Sequence, residues 1–227
     1  MLNLPAYISI VFIITTIYTA VMFVKAASGN LTVLYILPAW LALQGFIAYS
    51  SFYTNTKGMP PRFMLAVVPA FLGIIVLFAT SKGRHFLDSL NLQPLTLLHF
   101  ARVPVEIVLF WLFIHKAIPE VMTFEGNNFD ILSGITAPII WYLAPNNSNR
   151  KLLLVWNIIC LCLLLNIVIT AVLAAPFNFQ QIAFDQPNRA VLYFPFVWLP
   201  ACIVPLVLVS HLAAIRQLLI KSRLHEK

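Results

Sequence analysis

Charge is what this chain has least of: 9% of its 227 residues are Asp, Glu, Lys or Arg, and only seven of those are acidic. So few charges cannot cover a folded domain of this length, which excludes a freely soluble globular protein. Cysteine is scarce too, and Cys160, Cys162 and Cys202 all fall within apolar runs. That placement excludes an external disulfide framework and metal-ligand spacing, and leaves them as small packing residues. Short alternating strands with a period of two are missing, which argues against a β-barrel. No linker, repeat or low-complexity tract divides the chain, so residues 1–227 read as one domain. An HExxH pattern is missing as well, and with it the usual sign of a zinc hydrolase.

What the chain has is apolar length, with 61% hydrophobic residues and a mean hydropathy of +0.92. A bilayer core of about 30 Å takes about 20 apolar residues per helix. Polar breaks separate seven such segments, roughly at 4–24, 31–53, 63–80, 95–118, 129–144, 152–174 and 191–215. The expected class is therefore all-α: a polytopic integral membrane protein of seven transmembrane helices, with the lipid bilayer as its first partner.

The basic residues sort with that count. Lys25, Lys82, Arg84, Arg150, Lys151, Arg216, Lys221, Arg223 and Lys227 fall on one side, whereas Lys57, Arg62, Lys116 and Arg189 fall on the other. The positive-inside rule then puts the N-terminus outside and the C-terminus in the cytoplasm. The net charge of +7 follows from this topology and from attraction to anionic lipid, and nucleic acid is not an expected partner. Residues 1–5 carry no Lys or Arg and the run after them is longer than a signal h-region, so the first segment is expected to stay as a helix. Compact size and short loops suggest a bacterial cytoplasmic (inner) membrane. The helix count and external N-terminus are shared with rhodopsins and G-protein-coupled receptors. However, no lysine lies in the seventh segment to form a retinal Schiff base, so the likeness ends at topology.

Against this apolar background, two opposite charges stand near the middle of the fourth segment. Arg102 and Glu106 are four residues apart, and His99 joins them on one helical stripe at i, i+3, i+7. Charges at that depth normally face a protein interior or a water-filled cavity and mark a candidate functional site. Glu106 is expected to pair with Arg102 or another donor, or to stay protonated. The competing structural reading is an ion pair that only locks helices together.

Two outer connections carry the remaining polarity, 120–130 and 175–190. Glu125, Asn127, Asn128, Asp130 and Asp185 are expected to form a polar outer cap, although their spacing matches no defined calcium loop and no metal site is expected. Pro38, Pro69, Pro104 and Pro138 punctuate four helices, and Pro195, Pro200 and Pro205 break the last. Each internal proline frees a carbonyl one turn earlier; for Pro200 and Pro205 these belong to Phe196 and Ala201. In lipid such a carbonyl needs another helix, a water or a ligand. Gln44, Asn157, Asn166 and Thr170 are read as further buried hydrogen-bonding groups, more helix glue than ligand contacts.

These features point to a protein that binds or translocates a small molecule or ion through a polar pocket around Arg102, Glu106 and His99, with protonation as the coupling event. One alternative is an intramembrane enzyme acting on a lipid or isoprenoid, and whether the chain is an enzyme is left open. Another is a scaffold, working as a homo-oligomer or with a membrane partner, although the short tails offer a signalling partner little surface. No cofactor is expected. The sharpest exception would be a haem held by His99 and His211, which lie at comparable depth.

Overall fold

The computed structural model describes residues 4–145 and 148–225, with side chains as far as Ile220. Lys227, and the side chains of Lys221 and Arg223, lie outside the described set.

Each apolar run becomes a helix where a polar or proline break lets it start. Helix α1 (Ala6–Ala26) follows Pro5. Its buried Thr15, Thr16 and Thr19 need no partner on another helix, because each hydroxyl donates to the carbonyl one turn earlier. Helix α2 (Leu31–Tyr49) starts at Asn30, whose side chain accepts from the N–H groups of Thr32 and Val33. Helix α3 (Met64–Ala79) ends at Thr80, where the chain bends by 93° into α4 (Ser81–Ser89), capped by the Thr80 hydroxyl. A Cβ at Gly83 would collide with the backbone carbonyl of Leu77, so this elbow needs glycine.

Helices α5 (Leu92–Leu98) and α6 (Arg102–Ile114) form one span broken by a 3-10 turn at His99–Ala101. Pro104 explains the break: without its N–H the carbonyl of Phe100 has no partner one turn below, and the ladder tightens there. The carbonyl of Leu97 at this break accepts from the Tyr18 hydroxyl of α1 at 2.8 Å. Helix α7 (Ile131–Leu143) is short, α8 (Arg150–Leu173) is capped by Asn149, and a π turn at Leu199–Ile203 leads into α9 (Val204–His225).

The fold is all-helical, with no strand among the described residues. Five helices are long and apolar enough to cross a membrane: α1, α2, Leu92–Ile114, α8 and Leu199–Ile220. Taken together, the bent α3–α4 pair would make a sixth, while α7 is shorter at 13 residues. Of the seven expected segments, the second therefore ends as α-helix at Tyr49, and the last begins at Leu199 rather than 191.

Proline sets one of the main helix contacts. Pro205 frees the carbonyl of Ala201, and the Trp40 indole of α2 donates to it at 2.8 Å. In return Trp198 donates to the carbonyl of Leu41 at 2.9 Å. The expected freed carbonyl is thus taken by another helix. At one end of the bundle Arg216 of α9 grips Asp88 of α4 through two bonds of 2.8 and 2.9 Å, and Gln217 caps the carbonyls of Leu87 and Leu90. At the other end, the 175–190 connection lies over the end of α6, where Gln186 donates to the carbonyls of Phe113 and Ile118.

Candidate functional site

The break at His99–Ala101 and the start of α6 place His99, Arg102 and Glu106 on the inner side of their span, at 1%, 3% and 1% exposure. Helix α7 closes on this turn at Gly134, where a Cβ would come within 2.8 Å of the backbone nitrogen of Val103. That close approach brings the residue preceding α7, Asp130, against Arg102. Arg102 Nε lies 3.2 Å from Asp130 Oδ2, so the ion pair of Arg102 is with Asp130. The contact pairs the charges without hydrogen-bond direction, leaving Nε–H and Asp130 Oδ1 without hydrogen-bond partners. The two terminal nitrogens of the guanidinium reach the carbonyl of Cys160 on α8 at 3.4 and 3.5 Å.

Glu106 is held differently. Asn128 Nδ2 stands 2.7 Å from both of its carboxylate oxygens and 3.0 Å from the carbonyl of Met122. Two amide protons are thus shared among three acceptors. Asn128 is itself fixed, because its Oδ1 accepts from the backbone N–H of Asp130 at 3.1 Å.

One helical turn away, His99 lies face to face with His211 of α9, with ring centroids 3.9 Å apart and planes 18° from parallel. Trp156 of α8 packs edge-on against His99, and His211 Nδ1 contacts Asn157 Oδ1 at 2.8 Å. His99 Nδ1 and His211 Nε2 have no hydrogen-bond partner. Stacked in this way, the rings do not hold their nitrogens on opposite sides of a common centre, so as placed they do not fit the two axial positions of one haem. Two imidazolium ions at this distance would repel strongly in a medium of low dielectric, so the stack accommodates at most one charge. Among the described residues no group of three or more His, Cys, Asp or Glu could hold a metal ion.

Arg102, Glu106 and Asp130 are among the lining residues of a mostly apolar cavity of about 300 Å³ bounded by α3, α6, α8 and the start of α9. Arg102, Glu106, Asp130 and Asn188 are its polar lining, and all its other lining side chains are aliphatic, aromatic, methionine or proline. Near the 175–190 connection, Phe63 stacks on Phe177 at 5.7 Å and Phe177 meets Phe179 at 5.4 Å. On the α3 and α8 walls, Val68 and Val172 are 42% and 50% exposed, so the cavity lining reaches the surface on these two helices.

Sequence reasoning placed Asn128 and Asp130 in an outer cap with Glu125, Asn127 and Asp185. The structure divides that group. Glu125, Asn127 and Asp185 are exposed, whereas Asn128 and Asp130 are buried against the charges of α6. The 3-10 turn at Glu120–Met122 folds this connection inward. Asn157 is buried as expected, but Asn166 is exposed and donates to the carbonyl of Asn127 at 2.9 Å. Asn188, a cavity residue with an unpartnered Oδ1, had no sequence signal beyond its amide side chain.

No curated protein and no solved structure is matched by the chain. A family model does match, over residues 60–219, a stretch that contains the whole cavity lining and both histidines, and its description is "Domain of unknown function (DUF8737)". That match covers well over half of the sequence, and the chain therefore belongs to the DUF8737 family.

Proposed function

We infer that this protein binds a small molecule or ion within the membrane and moves it or senses it through the cavity, with proton exchange at Glu106 as the coupling event. The observation that carries this is the meeting of an apolar cavity of about 300 Å³ with three buried charged groups, Arg102, Glu106 and Asp130. A pair serving only to lock helices would be expected in a sealed core. Here the groups border empty volume of the size usual for small ligands. Arg102 holds Asp130 in place, Glu106 exchanges the proton or cation, and the His99–His211 stack passes protons toward the far end of the bundle.

On this reading α3, up to its bend into α4, and the short α7 complete seven passes, with the N-terminus outside. The end carrying Lys25, Lys82, Arg84, Arg150, Lys151 and Arg216 faces the cytoplasm of a bacterial cell. The amphipathic α4 then lies along the cytoplasmic interface, and the aromatic group of Phe63, Phe177 and Phe179 sits towards the outer surface.

The test compares wild type with Glu106→Gln, purified side by side across a pH series, by identifying the small molecules and lipids that stay bound. The expected result is occupancy that varies with pH in the wild type and not in the variant, at nearly equal thermal stability. Equal, pH-independent contents in both proteins would overturn the assignment of Glu106 and favour the helix-locking role.

A further inference from the structure

The charge balance of the cavity wall narrows the ligand. With all three groups ionised, Arg102 supplies one positive charge and Glu106 and Asp130 supply two negative ones. Other groups add none that is fixed: Asn128 and Asn188 are neutral amides, Cys160 offers Arg102 its carbonyl, and neither His99 nor His211 lines the cavity. In that state the site is short of one positive charge, which a proton on a carboxylate or a cationic guest must supply, because an unbalanced charge in so dry a setting is costly. An anion beside Arg102 would deepen that deficit. A neutral guest would leave it unchanged.

The donor atoms narrow it again. Asp130 is 5% exposed and its Oδ1 has no hydrogen-bond partner, while both oxygens of Glu106 are already held by Asn128. A hard metal ion takes about six to eight oxygen ligands, whereas Asn188 is the one further lining side chain with an oxygen, and apart from Arg102 the rest of the lining is aliphatic, aromatic, methionine or proline. Such walls suit an apolar body rather than a bare ion.

We propose that the cavity takes a lipophilic monocation, an apolar molecule bearing one quaternary or protonated amine, with its charge towards the carboxyl groups of Asp130 and Glu106, and that a proton replaces it when it leaves. This rests on the cavity being a binding site, as inferred above. Exchange is then one positive charge for another: the cation enters as the carboxylate pair loses a proton, and the proton returns as the cation departs. The exposed lining residues Val68 of α3 and Val172 of α8 mark where such a molecule would enter from the apolar phase without first crossing water.

Two probes test this with the full chain in lipid nanodiscs: benzyltriethylammonium and its uncharged analogue with carbon in place of nitrogen. The cation is expected to bind saturably, one per chain, at least ~10-fold tighter than the carbon analogue, weakening by up to ~10-fold per pH unit on the acid side. Asp130→Asn should remove that preference and its pH dependence. Glu106→Gln, which leaves the Arg102–Asp130 pair intact, should do the same if the first variant fails to fold. Val168→Trp, which fills the cavity from α8, should abolish binding of both probes. If the carbon analogue binds as tightly as the cation at every pH, the cation assignment falls and the cavity stands. If neither probe binds saturably and Val168→Trp changes nothing, the cavity reading falls with it.

Discussion

Asn128 holds Glu106 by a single nitrogen, placed 2.7 Å from both carboxylate oxygens. A residue from a connecting segment thereby fixes the one acid of the helix beneath it. Asn128→Ala removes that donor and leaves the carboxylate with no hydrogen bond among the described residues. The expected loss of stability is about 1.5–3 kcal/mol, the range for a hydrogen bond to a charged group. Thermal unfolding in detergent measures it, and an unchanged midpoint would show that the contact carries no weight.

Gly134 and Gly73 make a matched pair. A Cβ at Gly134 would press on the backbone of Val103, whereas nothing lies within 4 Å of the corresponding point at Gly73. Gly134→Ala should destabilise by about 1–3 kcal/mol through overpacking, in spite of alanine's better helix propensity. Gly73→Ala should be neutral or stabilise by up to about 1 kcal/mol. Comparable midpoints for the two variants would contradict the close approach of α7 to the start of α6.

The indole of Trp40 serves the carbonyl that Pro205 leaves free. Trp40→Phe should cost about 0.6 kcal/mol and at most about 1.7 kcal/mol, the mean and the maximum measured for hydrogen bonds between membrane helices. In a Pro205→Ala background the carbonyl regains a partner within its own helix, and the same change should cost less. A double-mutant cycle reads the coupling directly, and additive effects would mean the bond contributes nothing.

The His99–His211 stack separates shape from chemistry. His99→Phe keeps a flat ring against His211 but cannot carry a proton. Thermal stability should stay close to wild type, while the pH dependence of ligand binding should change. Identical pH profiles would remove His99 from the proton path.

Much of the helical framework was legible in the sequence, because long apolar runs bounded by polar residues have few other fates. The run at 152–174 appears as Arg150–Leu173, and the run at 4–24 as Ala6–Ala26. Residues 81–89 were less legible. Their polar sequence read as a break between spans, yet the capping hydroxyl of Thr80 and the buried Leu87 make them an amphipathic helix. The charged residues of the site were visible from their depth alone, but their partners were not. Arg102 and Glu106, spaced as an i, i+4 pair, are drawn to Asp130 and Asn128, which arrive from a connection whose inward fold no local pattern announces. Similarly, His99 and His211 could be matched in depth but not as neighbours, because helix adjacency is set by long-range packing.

The most direct test of the account is native mass spectrometry of the gently solubilised protein beside Val168→Trp, a change that fills the cavity without touching a charged group. The expected result is a discrete bound mass on the wild type that is missing from the variant, at equal yield and folding. Two equally empty proteins, or the same bound mass on both, would contradict the claim that this cavity is where the protein works.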